Sequence, residues 1–149
     1  MRFFTSQVLS GVNISTETLR HWKRTLPPIR ARDGRSEGYT FRELAAMAVI
    51  ARAVHDLSVP ISRFTTFARE LFDGIDPLRM TDDYVLCITQ TEMRLTNITD
   101  MPDSTSLAMV RIAPVIAELR AALAIDPDEG SSQQQLVLPL GPKIIPFRR

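Results

Sequence analysis

The sequence predicts an α+β protein in which a basic, mostly helical N-terminal unit precedes a smaller unit of β-strands and one helix. Three observations predict it. Apolar residues recur at helical spacing through residues 16–26, 41–55 and 61–72. Asp33-Gly34, a strong hairpin signal, lies between short arms rich in arginine. Beyond Asp73-Gly74 the chain turns to runs of β-branched residues. The boundaries that follow are residues 1–74 and 80–125 for the two units, with a linker and proline-broken tail over 126–149.

Thr5 and Ser6 offer N-caps for a short first helix that Gly11 or Asn13 ends, since both tolerate the left-handed conformation of a C-cap. Ser15 then caps a second helix with Glu17 at the positive end of its dipole, running through TLRHWKR until Pro27 and Pro28 stop it. On a 3.6-residue wheel Leu19, Trp22 and Leu26 share one face, while Glu17, His21 and Arg24 lie opposite with Arg20 alongside. Residues 29–40, IRARDGRSEGYT, read as a basic β-wing. A third helix over residues 41–55 repeats Leu44, Met47, Ile50, Ala51 and Val54, and after a break at residues 57–60 a fourth carries Ile61, Phe64, Ala68 and Leu71 to near Gly74.

YVLCITQ (84–90) and MRLTNI (93–98) read as two strands joined near Thr91-Glu92. A single helix over 84–98 is the competing reading, disfavoured by the stiff side chains of Thr89, Thr91 and Thr96. SLAMVRI (106–112) is a third strand, and Pro114 suits the first turn of a helix striped with Val115, Ile116, Leu119, Ala122 and Leu123 and ended by Asp126-Pro127. DPDEGSSQQQ is a linker by composition. The last segment, LVLPLGPKIIPFRR, is apolar but interrupted by Pro139, Pro142 and Pro146, and reads either as a loose tail or as an extended segment docked on a sheet edge.

Charge separates the two halves. The net charge of +1 conceals eleven Lys and Arg against six Asp and Glu in residues 1–72, and seven against eleven in residues 73–149. Eight of the N-terminal cations fall within the first 42 residues, so that half is suited to a polyanion and the other half is not. At 149 residues, 44% hydrophobic and 23% charged, the chain has the composition of a soluble globular protein, which excludes collagen-like or wholly disordered sequence. No run is long enough for a membrane helix or a signal peptide, and a reducing cytoplasm is the expected compartment. The single Cys87 cannot form an internal disulfide, and with only His21 and His55 beside it no metal site or cofactor is expected. Phosphate-binding Gly-rich loop, nucleophile elbow and His/Ser or His/Cys pairing are all missing, so no enzyme is read here; Asp82-Asp83 reads as a turn and Cys87 as a small buried hydrophobe.

At TLRHWKR (18–24) the chain resembles the MerR family of winged-helix regulators, where Thr-Leu-Arg and two aromatic residues sit on the recognition helix. The resemblance extends through the wing into GYTF (38–41) and the break LSVPI (57–61), about half the chain. Asn13 stands at a turn position usually held by Gly, His21 replaces one aromatic, and no heptad pattern for the family's coiled coil follows, so an inducer-responsive mechanism is not carried over. The resemblance implies that Thr16, Glu17 and Arg20 face the groove and that Trp22, Arg24 and Tyr39 contact phosphate; Thr18 and His21, inside the matching motif, complete the helical set. Chemically, Arg20 can fork onto a guanine edge, Glu17 can accept from a cytosine amino group, and Arg30, Arg32 and Arg35 of the wing can meet phosphate or a narrow minor groove. Trp22 also falls on the apolar face, where core packing competes with that role. The expectation is a bacterial or phage transcription regulator that binds double-stranded DNA as a homodimer through its C-terminal unit. An architectural protein of excisionase or phage-packaging type, or an adaptor for an acidic protein, are the other classes compatible with these residues.

Overall fold

The computed structural model describes residues 1–30 and 38–125 and is of mixed α+β class. The arms and turn of the expected wing over 31–37, with Arg32 and Arg35, and the linker and tail over 126–149 lie outside the described residues.

Helix α1 (Thr5–Val12) starts one residue earlier than its hydroxyls suggest. Its N-cap is Phe4, whose backbone N–H donates to the Gln7 side-chain oxygen at 2.9 Å. Asn13 ends it at φ 60° in the left-handed region, and Gly11 serves a different purpose. A Cβ at Gly11 would stand 2.8 Å from Leu123 Cδ2 and 3.2 Å from Leu119 Cδ1, so the missing side chain is the notch that admits the last helix of the chain. After a three-residue turn, α2 (Thr16–Thr25) is capped by Ser15, whose Oγ accepts from the Thr18 N–H at 3.1 Å.

Pro27 and Pro28 end α2 but do not end helical structure. They open a four-residue helix, α3 (Pro27–Arg30), at positions where a missing N–H costs nothing. Ile29 and Arg30 therefore belong to this turn instead of the first arm of a wing. The chain re-enters the description at Gly38, and Tyr39 pairs with Phe3 as an antiparallel bridge, Phe3 N–H to Tyr39 O at 2.8 Å and Tyr39 N–H to Phe3 O at 2.7 Å.

Helix α4 (Phe41–Asp56) begins in a capping box: Thr40 Oγ1 accepts from the Glu43 N–H at 3.2 Å, and the Thr40 N–H donates to Glu43 Oε2 at 2.7 Å. The expected stripe understates its burial. Every residue from Leu44 to Ala51, and Ala53, is buried, as in a helix enclosed on all sides. Its alanines let α1 and α6 approach closely. A left-handed Ser58 (φ 54°) and a 3₁₀ turn at Ile61–Arg63 then redirect the chain into α5 (Phe64–Gly74).

β1 (Tyr84–Ile88), β2 (Met93–Asn97) and β3 (Ala108–Arg111) form an antiparallel sheet in the order β2-β1-β3, with Leu86 opposite both Leu95 and Val110. The hairpin turn holds without Gly or Asn because Thr89 supplies the missing partners. Its buried Oγ1 accepts from the Glu92 N–H at 3.1 Å, its own N–H donates to Glu92 O at 2.9 Å, and its carbonyl accepts from Arg63 at 2.8 Å. Leu86, Ile88 and Val110 join the core on the inner face. The connection over residues 98–107 must cross the sheet lengthwise to bring β3 parallel to β2, and with the inner face occupied by helices it crosses the outer one, where Val85 and Cys87 are buried.

β3 runs directly into α6 (Ile112–Leu123), which starts two residues before Pro114 and ends ahead of Asp126-Pro127 on left-handed Ala124 (φ 55°). Val115, Ile116 and Leu119 are buried against α1 and α4, whereas Ala122 is exposed. A single cluster from Phe3 to Leu119 thus runs through both regions marked out in the sequence.

Two substitutions test this packing. Gly38→Ala, at φ 73° with Phe3 O only 3.1 Å from the new Cβ, should cost about 1–2 kcal/mol in denaturant unfolding. Thr89→Val keeps the shape but strands turn N–H groups, and should cost about 1–3 kcal/mol by the same measurement.

Candidate nucleic-acid interface

Helix α2 turns Leu19 and Trp22 into the core, half-buries Thr18 and Thr25, and leaves its other residues to solvent. Thr16, Arg20 and Lys23 follow one another at i, i+4 and i+7 along one line; Glu17, His21 and Arg24 repeat that spacing along the next. All six are exposed. Glu17 is the one carboxylate on the helix, so the exposed surface carries three full cations against one anion, with Arg30 exposed at the end of α3 immediately beyond.

What distinguishes these cations is that no described residue engages them. Among the described residues, Arg20, Lys23, Arg24 and Arg30 have neither a salt bridge nor a side-chain hydrogen bond. Elsewhere the guanidinium groups are mostly engaged. Arg52 pairs with Asp56 at 3.3 Å and with Glu118 of α6, Arg79 with Asp76 at 3.5 Å, and Arg94 with Glu92 at 3.1 Å. Arg42, Arg63 and Arg120 donate to the carbonyls of Asp73, Thr89 and Pro77. Arg69 and Arg111 are exposed and unpaired as well, but each is a lone residue on its element.

The remaining site residues divide. Thr18 is half-buried and its hydroxyl accepts from Ser15 Oγ at 2.9 Å, so it serves the cap. Trp22 keeps 2% of its surface and Tyr39 6%: Trp22 packs on the apolar side of α2, the role that competes with phosphate contact, and Tyr39 lies in the core with its backbone bridged to Phe3, so little of either side chain is left for a phosphate. Lys23 and Arg2, which the sequence marks only as part of the N-terminal excess of cations, join the site by position, Lys23 lying one turn beyond Arg20. Arg2 is exposed and donates to Gly38 O at 3.4 Å, which puts a cation from the N-terminus beside the segment that leads out of residues 31–37. Glu17, Thr18 and His21 also line an open groove together with His55, Ser58 and Pro60, so both histidines border the groove.

The described residues contain no group of three His, Cys, Asp or Glu placed to hold a metal ion. Burial pushes the Cys87 thiol up from its ordinary value, which keeps it protonated and poorly nucleophilic at neutral pH. No helix among the described residues is long and apolar enough to cross a membrane. Compared with models of known protein families, with characterised proteins and with solved structures, the chain finds no match.

Native protein at pH 8 should react with a thiol reagent at Cys87 only as fast as the sheet opens, and at the free-thiol rate in denaturant. Rapid labelling of the native state would show that the outer face of the sheet is open.

Proposed function

We propose that this chain binds double-stranded DNA in a sequence-dependent manner as a transcription regulator of bacterial or phage type, working as a pair of subunits. The observation that carries the reading is the set of uncommitted cations on α2 and α3, when the other described arginines are largely tied to the protein's own carboxylates and carbonyls. An exposed guanidinium with no internal partner keeps its full attraction for phosphate, and several in register along one helix fit the groove of a duplex.

The order of α1, a three-residue turn and α2, with Phe3 bridged to Tyr39, suits a winged helix-turn-helix of the kind the MerR resemblance implies. In this reading α2 enters the major groove. Arg20 and Glu17 address base edges, Lys23, Arg24 and Arg30 hold phosphates, and Arg32 and Arg35 add wing contacts. The acidic second half of the chain faces away.

Binding measured against selected genomic fragments at several salt concentrations tests this. Arg20→Ala should relax sequence preference at one position, at a cost of about 1–3 kcal/mol. Lys23→Ala should weaken all sequences alike and flatten the salt slope by about one unit. Equal, sequence-independent losses from both variants would leave an architectural role, and affinity indifferent to salt would leave an adaptor.

A further inference from the structure

We infer that the paired state forms by antiparallel addition of β3 to β3 of a second copy, about a two-fold axis at Met109, joining two three-stranded sheets into one of six. This deepens the pairing proposed above and rests on the backbone of the sheet, not on any contact with DNA. Hydrogen bonds at the two ends of the β1–β2 hairpin, Thr89 N–H to Glu92 O at 2.9 Å and Ile98 N–H to Asp83 O at 2.8 Å, assign the odd-numbered residues of β1 to β2. Leu86 and Ile88 then bond to Val110 and Ala108. Alternation leaves the N–H and C=O groups of Met109 and the N–H of Arg111, whose C=O is taken by the first turn of α6, directed away from the sheet with Leu107 continuing the series, and no described strand receives them.

Of the usual protections this edge has only its short length and the charge of Arg111. It carries no proline, lysine or bulge, and the side chains on its outward-bonding residues include Leu107 and Met109, each 39% exposed. It is also self-complementary. With the axis at Met109, Met109 faces Met109 of the second copy and Leu107 faces Arg111, so the two apolar side chains are covered and no like charges meet.

Adding a further strand of the same chain parallel to β3 at this edge meets the handedness of strand crossovers. For L-residues, seen from the inner face with β3 pointing up, the bonding groups of inward-facing Val110 point right, so β1 and β2 lie to the right. The outer-face connection from β2 to β3 is then right-handed. A parallel strand brought through α6, on the opposite face, to the free edge continues in the same direction of travel and is left-handed, the hand that strand crossovers avoid.

The test uses the full chain. Its mass in solution, without DNA, should rise with concentration to twice 16.8 kDa. In a hydrogen-bonded antiparallel pair the opposed Cα atoms stand about 5.5 Å apart, inside disulfide range. Cys87 stands opposite Met109 across β1 and β3 and could close an internal disulfide, so the test is made in a Cys87→Ala background: there Met109→Cys should give a covalent dimer on mild oxidation, while Leu78→Cys, 74% exposed in the loop before the sheet, should not. Met109→Glu, at a solvent-facing site, should weaken association at least tenfold with the circular dichroism unchanged. The inference is overturned by a monomer at all concentrations, by a dimer that Met109→Cys does not cross-link and Met109→Glu does not weaken, or by β3 amides whose exchange protection depends on residues 126–149. A monomer with salt-dependent DNA affinity would reject this pairing alone; a β3-linked dimer without DNA affinity would reject the DNA reading alone.

Discussion

The structure depends on a helix that has almost no side facing water. Over Leu44–Ala51 α4 alternates large apolar residues with alanine, and the alanines bring neighbouring backbones close enough for the large residues to interlock. A helix of this kind cannot be stable with one partner. It needs α1 and α6 along its flanks, α5 and β3 around the remainder, and a close approach at each. The notch at Gly11, filled by Leu119 and Leu123, is the clearest result: α6, from the far end of the described chain, seats against the first helix of the sequence. The strand-rich region is thereby part of the scaffold that holds α2, and Arg52 on α4 meets Glu118 on α6 at the same junction.

That scaffold also sorts the charges. Arg63 ties the turn after α4 to the hairpin, Arg120 stacks 5.5 Å from the Phe41 ring centre while reaching Pro77 O, and Arg42 reaches the end of α5. These cations act as internal fasteners between elements distant in sequence. On α2 the opposite holds: its apolar face is anchored by Leu19 and Trp22, so its cations are presented by a rigid support with no partner to leave. Preorganised cations of this kind lose little side-chain freedom in reaching a polyanion beyond their own torsions, and no internal ion pair has to break.

Sequence periodicity located every helix of α1, α2, α4, α5 and α6 to within a few residues, because amphipathic spacing and capping residues such as Ser15 and Thr40 act over a single turn. The strand pair was legible from Thr89, Thr91 and Thr96, whose stiff side chains resist a helix. Less visible was α3, since two prolines read as a stop when they also suit a start. The full burial of α4 was hidden as well, because alanine is neutral in a hydrophobic pattern and becomes core only when neighbours close over it. At the candidate interface the cations on α2 were legible by type and spacing, and Trp22 had two readings that only its 2% exposure separates.

Local chemistry, read residue by residue, determined the helix caps, the division of charge between the halves and the face of α2 that must be apolar, because each follows from groups within a turn or two of one another. Which arginines are spent, which glycine is a notch and which strand edge no described strand covers were decided by tertiary structure alone. Those properties depend on distances between residues such as Gly11 and Leu123, or Arg63 and Thr89, that the order of the chain does not contain.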